Sequence, residues 1–338
     1  MHVLRQEVAF EGSGAVKRLA IFSGIYLVIS VAIAFVFRDD MWLKLQSVAY
    51  KSRNFAEAMV EVGYLFAAAL FLIFALYGMA ELKRRAVDIG WAMLALVLFQ
   101  PAFTLFKTTL PAIVPFFADP FFAELDKALH FGTDPWVFAH ALDDYFNVQI
   151  LMEFYLTGWA IPAFFLPIVM AATDRDTARV NRTLIVFMFA WAGIGNVLAL
   201  AGLSVGPVYY DRLLGTDRYP EMMAMLEAKG IFASSIGETQ ELLWQFYSDG
   251  AQALGSGISA FPSVHVAVAT AVALYMYERH PLLAIPGGLF WLAVMILSVY
   301  TGYHYAIDSY ASTILVALLW WGLARKSNRQ TALQPATV

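Results

Sequence analysis

The stretch that decides the fold runs from Gly255 to Asp308. It begins with Gly-Ser-Gly-Ile-Ser-Ala-Phe-Pro-Ser-Val-His at 255–265 and ends with Thr-Gly-Tyr-His-Tyr-Ala-Ile-Asp at 301–308. Between these ends lie two apolar runs, separated by Glu-Arg-His-Pro at 278–281. This length suits one helix across a bilayer, a tight turn and a second helix back. The two polar ends are therefore predicted to meet at the same face of the membrane.

Three ionisable side chains mark these ends: His265, His304 and Asp308. An ionisable group at the mouth of an apolar segment is costly, so a functional role is the default hypothesis. His304 and Asp308 are one helical turn apart and share one side of a helix. Asp308 can then hold one imidazole nitrogen of His304 while the other nitrogen points at a substrate.

Composition places the chain among membrane proteins. It is 60% hydrophobic and only 14% charged, which lies outside the range of soluble globular domains. The net charge of −4, without a Lys/Arg-rich tail, predicts no nucleic-acid partner. The chain has no Cys, which excludes disulfides, thiolate catalysis and Cys-ligated zinc. The first apolar run lacks a small-residue cleavage site behind it and is interpreted as a retained helix.

Eight segments are apolar enough and about long enough to span a bilayer. They are 19–37, 59–80, 89–110, 151–172, 183–203, 264–279, 283–302 and 305–324. The predicted fold is thus an all-α polytopic membrane helix bundle with about eight transmembrane helices. We expect N-terminal transmembrane helices over 1–110, interfacial helices over 111–150, a catalytic transmembrane core over 151–325 and a disordered tail over 326–338.

Basic residues concentrate in the short connections on the side that carries both termini. These residues are Arg5, Lys17, Arg18, Lys83, Arg84, Arg85, Arg175, Arg179, Arg182, Arg279, Arg325, Lys326 and Arg329. The positive-inside rule assigns this side to the cytoplasm. The long connections 38–58, 111–150 and 204–263 then lie outside. We expect an integral protein of the plasma (inner) membrane with its active site on the extracytoplasmic side.

The connection 111–150 is too rich in Phe and Trp for a solvated loop. Asp119-Pro120 and Asp134-Pro135 each match an N-cap followed by Pro at the first helical position. Two short helices are predicted to follow. In the first, Phe121, Phe122 and Leu125 fall on one side, which suits a helix lying in the plane of the membrane interface.

The cluster has the groups that phosphoester chemistry requires: a nucleophile and an acid for the leaving group. His304 is the predicted nucleophile, oriented by Asp308, and its attack gives a phosphohistidine. His265 is predicted to protonate the leaving oxygen. The spacing of the two His and one Asp lacks the compact pattern of a zinc motif, so no metal or cofactor is expected.

The phosphate oxygens also need donors. Ser263 and the free N–H groups that begin the following helix are candidates, since helix N-termini bind anions. Arg212 is the best basic residue on the same side to clamp a phosphate, and Tyr210 is a further candidate. A transporter is the non-enzyme alternative, but it predicts ionisable groups at several depths. In this sequence the ionisable groups cluster at one end of the predicted helices, which favours the enzyme.

The two quoted motifs resemble the second and third signature motifs of the type 2 phosphatidic acid phosphatase superfamily, specifically its inositol phosphorylceramide synthase-like branch. The resemblance covers roughly 130–320 and implies that the motifs open two helices of a six-helix core. It implies a catalytic triad of His265, His304 and Asp308. Gly-Pro-Val-Tyr-Tyr-Asp-Arg at 206–212 is similar to the degenerate first motif of that branch.

Departures from the phosphatase pattern bear on the reaction. Val205 and Ser298 occupy positions where the phosphatase branch has phosphate-binding Lys and Arg, and Val264 replaces a Gly. Leu213 and Leu297 differ from its Pro and Ser. This pattern favours the synthase-like branch, which moves a phospho-headgroup from a lipid to an alcohol acceptor. A lipid phosphate phosphatase that hydrolyses a phosphomonoester with water remains the alternative.

Overall fold

Helices form all the regular structure of the described residues. The computed structural model describes residues 12–38, 78–141, 147–249 and 257–333, with single positions between 46 and 75. The helices are α1 (Gly12–Phe37), α2 (Met79–Ile113), α3 (Asp119–Leu129), α4 (Pro135–His140), α5 (Val148–Thr173), α6 (Thr177–Ala201), α7 (Pro207–Leu214), α8 (Pro220–Ala228), α9 (Ser235–Ser248), α10 (Val264–Arg279), α11 (Pro281–Tyr300) and α12 (Ala306–Leu333). The predicted all-α helix bundle is confirmed.

Six of the described helices are long and apolar enough to cross a membrane: α1, α2, α5, α6, α11 and α12. The predicted span 264–279 coincides with α10, whose 16 residues rise about 24 Å. Segment 59–80 falls almost entirely outside the described residues, so an eighth crossing stays a prediction. The predicted tail begins at 326, whereas α12 continues to Leu333, and 334–338 lie outside the described residues.

The N-terminal helices pack into the same apolar core as the rest of the bundle. Phe99 and Phe103 of α2 contact Trp191 of α6 edge-on, with ring centroids 6.4 and 4.8 Å apart. Tyr26 of α1 donates a hydrogen bond to the Asn196 side chain of α6. Buried residues from α1, α2, α5, α6 and α10 form one continuous cluster. Side chains of α2 therefore reach the centre of the molecule.

One end of the bundle carries a dense ionic cluster. Arg179 and Arg279 both bind Asp174, with N–O distances of 2.6 and 2.8 Å. Arg182 binds Glu278 at 2.6 Å. Burial acts to raise the pKa of Asp174, but its hydrogen bonds and the two guanidinium charges hold that pKa below its ordinary value. These contacts fasten the ends of α5, α6 and α10 together, opposite the end that carries His304.

The two predicted short helices are present as α3 and α4, but their Asp residues do not cap them. Asp119 lies inside α3, after the N-cap Ala118, and its carboxylate binds backbone N–H groups elsewhere. Asp134 precedes α4 without a side-chain cap bond. Its carboxylate instead accepts two hydrogen bonds from Arg218, at 2.8 and 3.0 Å. Each acid thus connects its helix to the chain beyond α6: Asp119 to the backbone at 205–206, and Asp134 to Arg218.

Candidate active site

The starts of α10 and α12 bring the two predicted catalytic histidines together. Ser263 caps α10 by accepting a 3.3 Å hydrogen bond from the Val266 N–H, and His265 follows in the first turn. His304 lies in the turn between α11 and α12, which is held by a 3.1 Å bond from its N–H to the Ser298 carbonyl. The imidazole ring centroids of His265 and His304 are 5.8 Å apart.

Hydrogen bonds define the tautomer of His304. Its Nδ1 lies 2.9 Å from the Ala260 carbonyl oxygen and 3.3 Å from Asp308 Oδ2. Both oxygens can only accept, so Nδ1 carries the proton and Nε2 carries the lone pair. Nε2 lies 3.2 Å from Ser263 Oγ, whose hydroxyl can donate to it. Burial lowers the pKa of His304, and the nearby His265 and Lys107 lower it further, which favours the neutral imidazole.

Asp308 joins the two motifs. Its Oδ2 accepts a 3.0 Å bond from the Tyr305 N–H in addition to facing His304. Its backbone carbonyl accepts a 3.3 Å bond from the Ser263 N–H. The side chain is fully buried, and its Oδ1 has no hydrogen-bond partner among the described residues. The carboxylate thus orients the ring, and its backbone ties α12 to the start of α10.

His265 lies in an aromatic environment. Its ring stacks on Tyr155 with centroids 5.1 Å apart and lies 4.1 Å from the Trp159 ring. Trp159 Nε1 donates a 3.0 Å bond to the His265 carbonyl. Both aromatic residues belong to α5, so packing against α5 sets the orientation of the His265 ring in the site.

Two buried carboxylates of α3 support the His304 turn. Asp119 accepts bonds from the Val205 and Gly206 N–H groups and a 2.9 Å bond from the Tyr305 hydroxyl. Asp126 accepts bonds of 2.9 and 3.0 Å from the first two N–H groups of α12. Burial raises the pKa of both acids, and these hydrogen bonds act to lower it.

The sequence predicts α3 but not this role for its acids. The acids of a short helix are usually solvated, and the N–H groups they meet are far away in the chain. The local signal at Asp119 was the Asp-Pro pair, and it indicates a helix start rather than a distant partner.

A cavity of about 310 Å³ opens beside the histidines. Most of its lining is apolar and aromatic: Phe103, Tyr155, Trp159, Phe164, Trp191, Leu242, Leu243 and Phe246. Polar atoms also line this cavity, and they come from His265, His304, Ser259 and Lys107. Such a lining suits the apolar part of a ligand, with polar groups gathered at one place.

Two predicted phosphate-binding residues lie away from this cavity. Arg212 binds Glu241 at 2.7 Å, and its guanidinium lies 5.7 Å from the Trp244 ring, beside a separate pocket. Tyr210 packs edge-on against Tyr219. The neighbouring Tyr209 lines the cavity instead, because adjacent residues of a helix such as α7 point about 100° apart. Ser263, in contrast, contacts His304 directly.

Lys107 of α2 is the cation that the sequence analysis missed. It lies in the predicted span 89–110, where a lone ionisable residue indicates function by default. That signal was present in the sequence. It was overlooked because Lys107 is far from His304 in the sequence, and only tertiary packing brings α2 next to the histidine motifs. Within the described ranges, no three His, Asp or Glu side chains converge as metal ligands would.

Comparison with protein families matches residues 120–322 to the PAP2 superfamily. No curated protein and no solved structure matches the chain. The matched residues include both histidine motifs, α3 and the helices α5 to α11. They cover more than half of the 338-residue chain. The protein therefore belongs to the PAP2 superfamily and is an integral membrane enzyme of the phosphatase or phosphotransferase type.

Proposed function

We propose that this enzyme moves a phospho-headgroup from a lipid phosphoester to an alcohol acceptor, as inositol phosphorylceramide synthases do. The observation that carries the proposal is the state of His304. Its proton is held on Nδ1 by two acceptors, which leaves the Nε2 lone pair facing Ser263 Oγ, and the His265 ring lies 5.8 Å from the His304 ring. A neutral imidazole with this orientation is a nucleophile ready to attack phosphorus.

The reaction has two balanced steps. In the first, the His304 Nε2 lone pair forms a bond to phosphorus, and the bond from phosphorus to the leaving oxygen breaks. The protonated His265 gives its proton to that oxygen. In the second, His265 takes the proton of the acceptor hydroxyl, the acceptor oxygen attacks phosphorus and the P–N bond breaks. His304 is thereby returned to its neutral form and His265 to its protonated form.

Asp308 and the start of α10 stabilise the intermediate. The ring of His304 becomes cationic when Nε2 is phosphorylated, and the Asp308 carboxylate at 3.3 Å offsets that charge. The N–H groups that begin α10 lie ahead of its first helical hydrogen bond and can donate to phosphate oxygens. The aromatic lining of the cavity supports an acceptor with apolar surface over water.

Lipid mass spectrometry tests the proposal. Purified enzyme in detergent is incubated with phosphatidylinositol or phosphatidic acid, with and without ceramide as the alcohol acceptor. We expect a new lipid that carries the headgroup on the acceptor, and an acid-labile phosphorylated intermediate that His304→Ala abolishes. Release of a free headgroup or free phosphate at the same rate with and without acceptor would instead establish a phosphatase. Phosphorylation retained in His304→Ala would remove this residue as the nucleophile.

A further inference from the structure

Lys107 is a buried ammonium with no counter-ion in the part of the chain that the structure describes. Its side chain is nine-tenths buried. Its Nζ lies 3.5 Å from the Ser259 carbonyl and 5.6 Å from the centre of the Phe103 ring, and no described carboxylate forms an ion pair with it. A buried charge without a partner costs several kcal/mol. Such a residue persists where a ligand supplies the opposite charge.

Other polar atoms without partners line the same cavity. The Tyr155 hydroxyl, Ser259 Oγ and Gln100 Nε2 are buried and have no hydrogen-bond partner among the described residues. Gln100 lies on the same face of α2 as Lys107, two turns away. Buried polar groups are normally satisfied. Their concentration around one cavity indicates that the ligand brings several hydrogen-bond acceptors to it.

Arg212, the cation that the sequence favoured, has the opposite environment. Its guanidinium is half-exposed and already neutralised by Glu241. It lines a pocket that contains neither histidine. A phosphate bound at His304 would therefore meet Lys107 rather than Arg212.

We propose that Lys107 binds the phosphoryl group while His304 attacks it, with Ser259 as a neighbouring donor. The inference rests on the proposed phosphoryl chemistry at His304. Lys107 lines the cavity with both histidines, and its charge can stabilise the negative oxygens of the transition state. Lys107 lies before residue 120, where the family match begins. The N-terminal helices are thus part of the active site, and not only an anchor.

Four variants test this assignment: Lys107→Met, Lys107→Arg, Arg212→Gln and, as a matched control, Lys127→Met on α3. Each is purified in detergent and assayed with short-chain phosphatidylinositol and phosphatidic acid. Orthovanadate serves as the probe of phosphoryl binding. We expect Lys107→Met to lose about 10²- to 10³-fold in kcat/KM and to bind vanadate at least about tenfold more weakly. Lys107→Arg should retain part of the kcat/KM and part of the vanadate affinity, and Lys127→Met should behave as wild type.

Thermal unfolding separates binding from a structural role. Methionine removes an unpaired buried charge, so Lys107→Met should unfold at the same temperature as wild type or higher, while losing vanadate-induced stabilisation. A lower Tm with unchanged vanadate binding would make Lys107 structural and overturn the inference. A larger loss of kcat/KM and vanadate affinity in Arg212→Gln than in Lys107→Met would also overturn the inference. If wild type turns over neither lipid and shows no phosphohistidine, the proposed function fails, whereas the vanadate comparison still decides the role of Lys107.

Discussion

The ring proton of His304 is shared by two acceptors, and the nearer one is not the carboxylate. Nδ1 lies 2.9 Å from the Ala260 carbonyl and 3.3 Å from Asp308 Oδ2. The carbonyl can hold the tautomer by itself. In the proposed mechanism, Asp308 adds the negative charge that a phosphorylated, cationic ring requires.

Asp308→Asn should therefore keep the fold and the tautomer but lower turnover. The amide fills the same space and removes the charge, so we expect a loss of roughly 10²- to 10⁴-fold in kcat. Steady-state kinetics on purified protein measure this loss, with circular dichroism as the check of folding. Near-native turnover would show that the Ala260 carbonyl is sufficient and would remove Asp308 from the mechanism.

The two histidines should be distinguishable by the leaving group of the substrate. A p-nitrophenyl phosphodiester needs little protonation when its oxygen departs. His265→Ala should recover much of its rate on that substrate, whereas His304→Ala should stay inactive on both activated and natural substrates. Parallel kinetics with the two substrates give the result. Rescue of His304→Ala instead would exchange the roles of nucleophile and acid.

At the scale of elements, the His304 turn is positioned by the segment between α6 and α7. Gly206 has φ 88° and ψ 166°, a conformation that is essentially restricted to glycine. A Cβ on Gly206 would collide with the Tyr303 carbonyl, one residue before His304. The Gly-Pro of the first motif therefore allows two backbones to approach closely. The motif is recognisable in the sequence, but there Arg212 is the residue that it singles out rather than Gly206.

Gly206→Ala should consequently shift the His304 turn. We expect about 1–3 kcal/mol of destabilisation from the backbone conformation, with a larger fractional loss of turnover because the His304 ring moves. Gly288→Ala is the matched control, since no atom lies within 4 Å of its added Cβ and it lies in a helix. Thermal unfolding and turnover are compared for both. Wild-type values for Gly206→Ala would show that the two segments can separate without cost.

Asp126 acts on the neighbouring element, α12. Its two oxygens accept from the Ala306 and Ile307 N–H groups. In Asp126→Asn the amide N–H₂ group faces one of these N–H donors, so that hydrogen bond is lost. The other hydrogen bond is then made to a neutral amide oxygen instead of a carboxylate. We expect about 1–3 kcal/mol of lost stability and slower turnover. The exposed Glu124→Gln in the same helix is the control, and hydrogen exchange at the start of α12 is the direct measurement. Unchanged exchange there would contradict the role.

At the scale of the molecule, the site and the ionic cluster lie at opposite ends of the bundle. α1 and α2 run parallel, since Lys17 contacts Trp91 and Arg38 contacts the Thr108 carbonyl. Lys107 thus lies at the same end as His304, away from Asp174. The basic residues of the opposite end predict that it faces the cytoplasm.

Cysteine labelling tests this orientation, and the chain contains no native Cys. We expect Glu238→Cys on α9, at the active-site end, to react with a membrane-impermeant maleimide in intact cells. Ala178→Cys, next to the ionic cluster, should react only after permeabilisation. Both positions are exposed in the structure. The reverse pattern of labelling would turn the active site towards the cytoplasm.

The sequence by itself determined the helical membrane fold and the central cluster, because both depend on local signals. Apolar length predicts a spanning helix, and the spacing of His265, His304 and Asp308 places them at the mouths of helices that are neighbours in the chain. The cavity wall, the roles of Asp119 and Asp126 and the approach of Lys107 were decided only by the tertiary structure. These residues come from helices far from the motifs in the chain, and no local pattern encodes which side chains of distant helices meet. Arg212 was favoured because it is the best basic residue predicted on the same side as the histidines. Packing instead pairs it with Glu241, and Lys107 of α2 lines the cavity beside His304.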